Sequence, residues 1–396
     1  MKAFLYHLQK HYTEALRSLQ EAAVIIKDQC QVLVIYGNYA WIYYHLANYS
    51  KVEKYLHKIR GICQSLGSPH PYSIMTPEIL AQKGWSFLAS GFQNGEEAIA
   101  CFQKALRELP TNQEFKAGLA TAFYASWERA GIVCRWDKSK ELLEELVSVQ
   151  PQNWELKMYL ASLLLHQDKE RVKGLLEEVV HNSRSPDILR KVAHLCVCVQ
   201  PRQLTPAISA LKMAIRLDSS YRLLYYDLGL CYKLQMEGAS PDDRAIALES
   251  ATNCFLLAVE MGSLFIDPRL ELAKIYGERG PDHEEAVYLH LMQELPNVSM
   301  RCKQAIYLHW GDFLLQKKGL KHQALEMYKT GVKISGGHFT ERDQLERRLM
   351  DLMKIFQEDS ELDCVDTIYS LFQTTGYQGP DTHQSCPWWH NHRVWS

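Results

Sequence analysis

The segment EAIACFQKAL, residues 97–106, contains a small residue at Ala98, a bulky residue four positions later at Phe102 and another small residue at Ala105. In an α-helix this spacing puts all three side chains on one face. The small side chains allow a neighbouring helix to approach closely, and the bulky one fills the groove between the two helices. The segment therefore predicts one helix of a tightly packed pair.

The same pattern of small, bulky and small residues recurs along the chain. It is found in EALRSLQEA (14–22), PAISALKMAI (206–215), SATNCFLLAV (250–259) and QALEMYKTGV (323–332). Partner helices precede some of these segments, as in LGLCY (228–232) and LAKIY (272–276). Pro110 and Pro151 each follow a second helix, where the fixed φ and missing N–H of proline end it. These features match the tetratricopeptide signature, a helix–turn–helix unit that recurs about every 34 residues.

The repeat pattern predicts an all-α fold, a right-handed superhelical solenoid of about nine tetratricopeptide-like repeats. More degenerate copies contain Val52, Ser139, Val172 and Ala286. Residues 1–358 are expected to form one continuous array in which the first capping helices are missing. Residues 359–396 are expected to form a degenerate helix and an irregular C-terminal tail, because GPDTHQSCPWWHNHRVWS has no helical period.

The segment GNYAWIYYHL, residues 37–46, has four aromatic residues in ten positions. Taken alone, it could be a strand, a platform on which a ligand stacks, or one face of a helix. The repeat template places it in the first helix of a unit. We therefore predict a helix whose rings mainly pack against neighbouring repeats.

Composition limits the possible classes of function. The chain has 396 residues, of which 47% are hydrophobic, and 44 Lys and Arg stand against 46 Asp and Glu. This balance gives no global electrostatic case for binding nucleic acid or an anionic membrane, so any anion site must be local. With no signal peptide and no apolar run of about 18 residues, the chain is expected to be soluble, unexported and without a membrane partner. Its 11 cysteines are expected to be reduced.

Motifs for catalysis and for metal binding are weak. The chain has no P-loop, no glycine-rich dinucleotide turn and no nucleophile elbow, so we predict no enzymatic activity and no cofactor. The tail offers His383, Cys386, His390 and His392 as ligands, but their spacing matches no closed zinc module. We therefore predict no metal site.

Four stretches resemble one known family more specifically than the general repeat signature does. They are GNYAWIYYHL (37–46), PEILAQKGWSFLASG (77–91), ACFQKALRELPTNQEFKAGLATAFY (100–124) and GLCYKLQM (229–236). In them the chain resembles the interferon-induced proteins with tetratricopeptide repeats, as a divergent and N-terminally shortened member. The resemblance implies a cytoplasmic innate antiviral protein. It also implies that a basic superhelical channel binds the 5′ end of foreign single-stranded RNA, with a triphosphate or an incomplete cap, and blocks its translation.

The resemblance also assigns RNA-binding positions. Trp85 lies where the family places an aromatic side chain at the RNA 5′ end, and Arg190 lies where it has a channel arginine, with Lys191 beside it. Other positions depart from the family. Ala89 replaces a basic residue, Gly95 a tyrosine, Ala125 and Val197 arginines, and Tyr226 with Asp227 a His–Gln pair. Because each phosphate contact adds to affinity, these replacements predict weaker phosphate binding.

Each assignment has an alternative. Trp85 can be a repeat-core aromatic, and Arg190 and Lys191 can belong to a solvated helix face. For the whole chain, the alternative to RNA binding is a scaffold for protein partners in antiviral signalling, including related family members. In that case RNA binding is weakened or lost. Neither interpretation includes a DNA partner.

Overall fold

The computed structural model describes residues 2–26, 29–130, 133–262, 265–278 and 280–375. Across these residues the chain forms twenty α-helices and two short 3-10 helices, with no β-strand beyond one isolated bridge between His70 and Ser73. The predicted all-α class is confirmed. None of the described helices is both long and apolar enough to cross a membrane.

The helices belong to two compact units, one ending at Asp168 and the other beginning at Lys169. The helices of the first unit are α1 (Lys2–Leu8), α2 (Tyr12–Ile25), α3 (Gln29–His45), α4 (Tyr49–Ser65), α5 (Pro77–Ala89), α6 (Gly95–Glu108), α7 (Gln113–Ala130), α8 (Val133–Val149) and α9 (Trp154–Leu164). A 3-10 turn, Phe92–Asn94, precedes α6. Helices α1 to α8 pack as successive pairs, which is the helix–turn–helix arrangement that the sequence predicts.

The second unit also consists of paired helices. Its helices are α10 (Lys169–Asn182), α11 (Pro186–Val199), α12 (Thr205–Leu217), α13 (Arg222–Gln235), α14 (Pro241–Glu260), α15 (Asp267–Gly277), α16 (Pro281–Gln293), α17 (Met300–Gln316), α18 (Lys321–Val332), α19 (Phe339–Glu358) and α20 (Leu362–Thr375). A 3-10 turn, Leu295–Asn297, follows α16. Residues 376–396, which include the predicted irregular tail, lie outside the described part, and the proposed boundary at residue 358 stays a prediction.

The residues of the small–bulky–small pattern are buried as predicted. Ala98, Phe102 and Ala105 of α6 are each 0% exposed. The Phe102 ring lies against two glycines of neighbouring helices, since an added Cβ would meet it at 2.8 Å from Gly84 in α5 and at 2.2 Å from Gly118 in α7. One ring therefore holds three consecutive helices at close spacing.

Local sequence signals set the starts of the two helices that carry predicted site residues. Thr76 is the N-cap of α5, and its Oγ1 accepts a hydrogen bond from the Ile79 N–H at 3.4 Å. Ser185 is the N-cap of α11, and its Oγ accepts from the Ile188 N–H at 3.4 Å. A proline follows each cap, where its missing N–H costs no helical hydrogen bond. These caps fix where α5 and α11 begin.

The aromatic-rich stretch 37–46 lies in α3 and its neighbouring turn, so the helical prediction is confirmed through His45. Tyr39 is buried and stacks on Tyr55 of α4, with centroids 4.7 Å apart and an interplanar angle of 7°. Trp41 and Tyr44 are 54% and 55% exposed. The prediction that the rings mainly pack against neighbouring repeats is correct for Tyr39, which lies in one apolar cluster with residues of α1 and α2. Trp41 is largely exposed, but its Nε1 donates to Nε2 of His7 in α1 at 3.1 Å, whereas Tyr44 is mostly exposed.

The variant Gly229→Ala tests the contact between ring and glycine. A Cβ at Gly229 of α13 would lie 2.6 Å from the fully buried Phe255 ring, so we expect the free energy of unfolding to fall by about 1–3 kcal/mol. Gly174→Ala is the matched control, because Gly174 also lies inside a helix of the second unit but has nothing within 4 Å. Alanine there should raise stability by up to about 1 kcal/mol. Urea unfolding followed by circular dichroism measures both, and equal effects would contradict the steric account.

Candidate nucleic-acid interface

Trp85 lies near the C-terminal end of α5 and is half-buried. Its ring meets Phe102 nearly edge-on, with centroids 5.2 Å apart and an interplanar angle of 75°, and it packs against the apolar cluster of the first unit. Aromatic side chains can combine such a core contact with an accessible face. The structure therefore places Trp85 in the repeat core in part, and base stacking would use its exposed remainder.

The resemblance implies a tyrosine at position 95 and an arginine at position 125. The structure has no room for a larger side chain at either position without movement of its neighbours. A Cβ on Gly95 would lie 2.9 Å from the backbone nitrogen of Ser126, and Ala125 is 0% exposed. Beside them, Glu96 accepts a hydrogen bond from the Ser126 hydroxyl and pairs with Arg135 at 2.7 Å. The pKa of Glu96 is lowered, first by the Ser126 hydrogen bond and also by Arg135. This part of the first unit presents an ionised carboxylate beside its arginine.

Arg190 lies in α11 and is 5% exposed. Its Nε donates to Oδ2 of Asp227 in α13, a residue that is 0% exposed. His194, one turn further along α11, places its Nε2 2.9 Å from the same oxygen. Burial by itself lowers the pKa of Arg190, but the charge of Asp227 and its hydrogen bond outweigh burial and raise it. Arg190 is therefore a cation whose charge is compensated inside the protein.

Lys191 differs from Arg190 in its surroundings. Successive residues of an α-helix point about 100° apart. Lys191 is accordingly exposed, whereas Arg190 is buried against Asp227. Trp85 belongs to the first unit, and the two cations belong to the second. Of the two predicted cations, Lys191 is the one whose side chain is exposed.

The second unit contains a cavity of about 640 Å³ between α13, α15, α16, α17 and α19. Its wall carries six carboxylates against four permanent cations. The carboxylates are those of Asp267, Glu271, Glu278, Glu284, Asp312 and Glu341, and the cations are Lys274, Arg301, Lys317 and Arg348. A negative excess of this kind opposes an approaching phosphate. The resemblance implies a basic channel, whereas this cavity is acidic overall.

Ion pairs occupy several of the cavity's cations. Arg301 binds Asp267 at 2.9 Å and Glu341 at 2.7 Å. Arg348 binds Asp312 at 2.8 Å. The partners are half-buried or buried, so these pairs are screened less by water than surface pairs are. A ligand phosphate would have to compete with carboxylates that are already in place.

Burial and neighbouring charges strongly shift the pKa values of Glu271 and His309 in the cavity. Burial raises the pKa of Glu271, but Lys274 and Lys233 outweigh it and bring the pKa to about 2. Burial, and then the charge of Lys274, lowers the pKa of His309 to about 3. At neutral pH the cavity therefore contains an ionised Glu271 and a neutral His309.

Sequence comparison places the chain among known proteins. No family model matches it. The antiviral innate immune response effector IFIT1 of Macaca fascicularis is 30% identical over 361 residues, which cover 85% of this chain and 74% of the relative. Human IFIT1 is 28% identical, with coverage of 94% and 82%. The chain belongs to the interferon-induced proteins with tetratricopeptide repeats.

Solved structures of the family agree with this assignment. The human IFIT1 dimer with PPP-AAAA has a TM-score of 0.65 and 28% identity to this chain, and the alignment covers 95% of this chain and 86% of that one. The human IFIT1 dimer with m7Gppp-AAAA has the same TM-score and identity, with coverage of 95% and 85%. The predicted family and the predicted class of helical solenoid are confirmed.

Sequence reasoning missed the charge pairs of this member of the interferon-induced tetratricopeptide family. Arg190 and Asp227 are 37 residues apart, Asp267 and Arg301 are 34 apart, and Arg301 and Glu341 are 40 apart. These separations are close to one repeat length, about 34 residues. Opposite charges at equivalent positions of successive first helices were therefore the signal that could have found them.

The pair of Arg190 and Asp227 can be tested by Arg190→Met. Removing the guanidinium leaves a buried carboxylate without its arginine, so we expect the free energy of unfolding to fall by roughly 3–5 kcal/mol. The matched control is Lys191→Met, which removes the neighbouring exposed cation and should change stability by less than about 0.5 kcal/mol. Urea unfolding measures both. A similar small loss in the two variants would show that Arg190 is not held by a buried pair.

The lowered pKa of Glu271 predicts that the free energy of unfolding of the second unit falls at acidic pH. Its folded-state pKa of about 2 lies below the ordinary value of 4.5, so its contribution is present above pH 4.5 and is lost as pH falls toward 2. The shift corresponds to about 3 kcal/mol. Glu271→Gln should flatten the fall of stability in this window, whereas Glu249→Gln, at an exposed site of α14, should not. Urea midpoints between pH 5 and pH 2 measure the difference, and parallel curves for parent and Glu271→Gln would refute the assignment.

Proposed function

We propose that the chain is a cytoplasmic, non-enzymatic, interferon-induced antiviral protein that binds the 5′ end of foreign single-stranded RNA and blocks its translation. The observation that carries this proposal is the similarity to human IFIT1 structures with PPP-AAAA and m7Gppp-AAAA over 95% of this chain. A 5′ triphosphate or an incompletely methylated cap is the proposed feature of the RNA.

The proposed contacts follow from the accessible groups. Trp85 offers the exposed part of its ring for base stacking, which is the sequence-tolerant way in which proteins bind single strands. Lys191 offers an exposed ammonium group to a phosphate. Arg190 contributes only to the extent that a phosphate competes with Asp227, because its Nε already donates to that carboxylate.

The same contacts set the strength of binding. Each phosphate contact adds about 0.7 to the slope of log affinity against log salt for a single strand. Arg190 is compensated by Asp227, and packing closes the position of Ala125, so two of the arginine positions that the resemblance implies supply no accessible cation. We therefore expect modest affinity and a shallow salt dependence.

Binding of short RNA oligomers tests the proposal. Fluorescence anisotropy of the full chain with AAAA carrying a 5′ triphosphate, an m7Gppp cap or a 5′ monophosphate should give tighter binding of the triphosphate than of the monophosphate. Asp227→Asn should tighten triphosphate binding and raise the salt slope by up to about 0.7, since Arg190 then lacks its counter-charge. Because this change also lowers stability, the comparison uses conditions in which the circular dichroism spectrum of the variant matches that of the parent. Lys191→Glu should weaken binding.

The control for charge reversal is Arg216→Glu, at an exposed residue of α12, which should leave RNA affinity unchanged at moderate salt. Equal affinity for triphosphate and monophosphate RNA, at low salt and at moderate salt, would refute 5′-end recognition. Tighter binding in Asp227→Asn together with a triphosphate preference would support both the function and the proposed role of Arg190.

A protein scaffold is the second candidate. The acidic excess of the 640 Å³ cavity suits a cationic segment of a partner protein better than it suits a phosphate. Family members are candidate partners, because the matched human IFIT1 structures are dimers. In the RNA experiment, this candidate predicts binding that depends on charge alone, with no preference for a 5′ group.

A further inference from the structure

The turn between α19 and α20 brings a carboxylate and a thiol to one place. Ser360 has a left-handed φ of 61°, and the Glu361 N–H then donates to the carbonyl oxygen of Phe356 at 2.8 Å. This is the hydrogen bond of a Schellman helix end. The Glu361 carbonyl in turn accepts from the Cys364 N–H at 3.2 Å, so Glu361 starts the first turn of α20. A spacing of three residues at a helix start puts both side chains on the same side.

A histidine from another helix reaches the same place. His322 lies at the start of α18, and its ring packs against the fully buried Phe356, with centroids 5.4 Å apart. Its Nε2 lies 2.7 Å from Oε2 of Glu361. The Sγ of Cys364 lies 4.0 Å from the same oxygen, and all three potential ligand atoms are within 4.8 Å of one another.

The spacing of these atoms is close to that of a metal site. Zinc binds imidazole nitrogen and carboxylate oxygen at about 2.0–2.2 Å and thiolate sulfur at about 2.3 Å, which in a tetrahedron separates the ligand atoms by roughly 3.3–3.7 Å. The nitrogen–oxygen gap of 2.7 Å would therefore widen slightly, and the sulfur–oxygen gap of 4.0 Å would shorten slightly. Side-chain rotations suffice for movements of this size.

One of the two carboxylate oxygens of Glu361 is held by a lysine, and the other faces the potential metal ligands. Lys321 binds Oε1 of Glu361 at 2.5 Å, and it also binds Asp359 at 2.5 Å. Oε2 therefore faces His322 and Cys364 while Oε1 is held in place. With Cys364 as thiolate, Asp359, Glu361 and Cys364 carry three negative charges and the neighbouring Asp363 adds a fourth, so Lys321 and one divalent cation would offset most of them.

The geometry points to a zinc site formed by His322, Glu361 and Cys364, with a water molecule in the fourth position. An imidazole, a carboxylate and a thiolate suit Zn²⁺ better than Mg²⁺ or Ca²⁺, which prefer oxygen ligands. The ion would link α18 to α20, the last described helix. It would reinforce the apolar contacts of Val365, Ile368 and Leu371 of α20, because metal binding to a folded site adds to its stability. The sequence motifs predict no metal site, since these ligands are spread over 43 positions, 322–364.

Cobalt substitution of the full chain tests the site. Reduced, metal-free protein titrated with Co²⁺ should develop a thiolate-to-cobalt band in the near ultraviolet and the visible bands of tetrahedral Co²⁺, and Zn²⁺ should abolish both. His322→Gln, Glu361→Gln and Cys364→Ser should each weaken Zn²⁺ binding by at least about tenfold, measured by competition with a chromophoric chelator. Without metal, the three variants should retain the circular dichroism spectrum and unfolding midpoint of the parent.

Two cysteine variants serve as matched controls. Cys134→Ser changes an exposed thiol of the first unit, and Cys386→Ser changes the thiol that lies among the tail histidines. Both should keep the cobalt band. Loss of the band in Cys386→Ser, or its persistence in Cys364→Ser, would overturn the proposal in favour of a tail site, and absence of any band in the parent would overturn it outright.

Hydrogen exchange supplies a structural readout. Zn²⁺ should slow amide exchange in residues 362–375 of the parent and should have no such effect in His322→Gln, whose substituted residue lies in a different helix. Slower exchange in both proteins would contradict a link between α18 and α20.

Discussion

The repeat array depends on one steric constraint, the contact of a large ring with helix positions that have no Cβ. Phe102 makes this contact with Gly84 and Gly118, and Tyr328 makes it with Gly311, where a Cβ would lie 2.4 Å from the ring. Close-packed interiors do not absorb an extra methyl group without movement of backbone or ring. The ring therefore fixes the distance between helices of one repeat and the next, which hydrophobic burial alone would leave variable.

Fixed spacing between successive first helices decides which charges meet. Arg190 reaches Asp227, and Arg301 reaches both Asp267 and Glu341, across neighbouring repeats. A cation in such a pair is desolvated and already compensated, so an RNA phosphate gains less from it than from a cation in water. The whole chain has 44 basic and 46 acidic residues. In the second unit, several of these opposite charges form ion pairs between neighbouring repeats.

Features that depend on residues of a single helix could be predicted from the sequence, whereas features that depend on distant residues could not. Burial of Ala98, Phe102 and Ala105 follows from a spacing within one helix, so the sequence predicted it correctly. Arg190 was assigned to the channel by resemblance, but its charge is compensated by Asp227, 37 residues away. Local periodicity carries no information about such a pair. The exposure of Trp41 was missed for a related reason, because a helix with aromatic residues on several faces does not reveal which face packs.

Asp227 shows why the number of basic residues in the sequence does not equal the number of cations that an anion can reach. Its carboxylate is fully buried, and removing either partner of a buried pair is costly, so folding stability favours keeping Arg190 and Asp227 together. The arginine is then present in the sequence but occupied in the structure. An anion can therefore contact an exposed cation such as Lys191 more readily than the buried Arg190. Because salt screens exposed charges more than buried pairs, ionic strength affects the interactions of Lys191 more than the pair of Arg190 and Asp227.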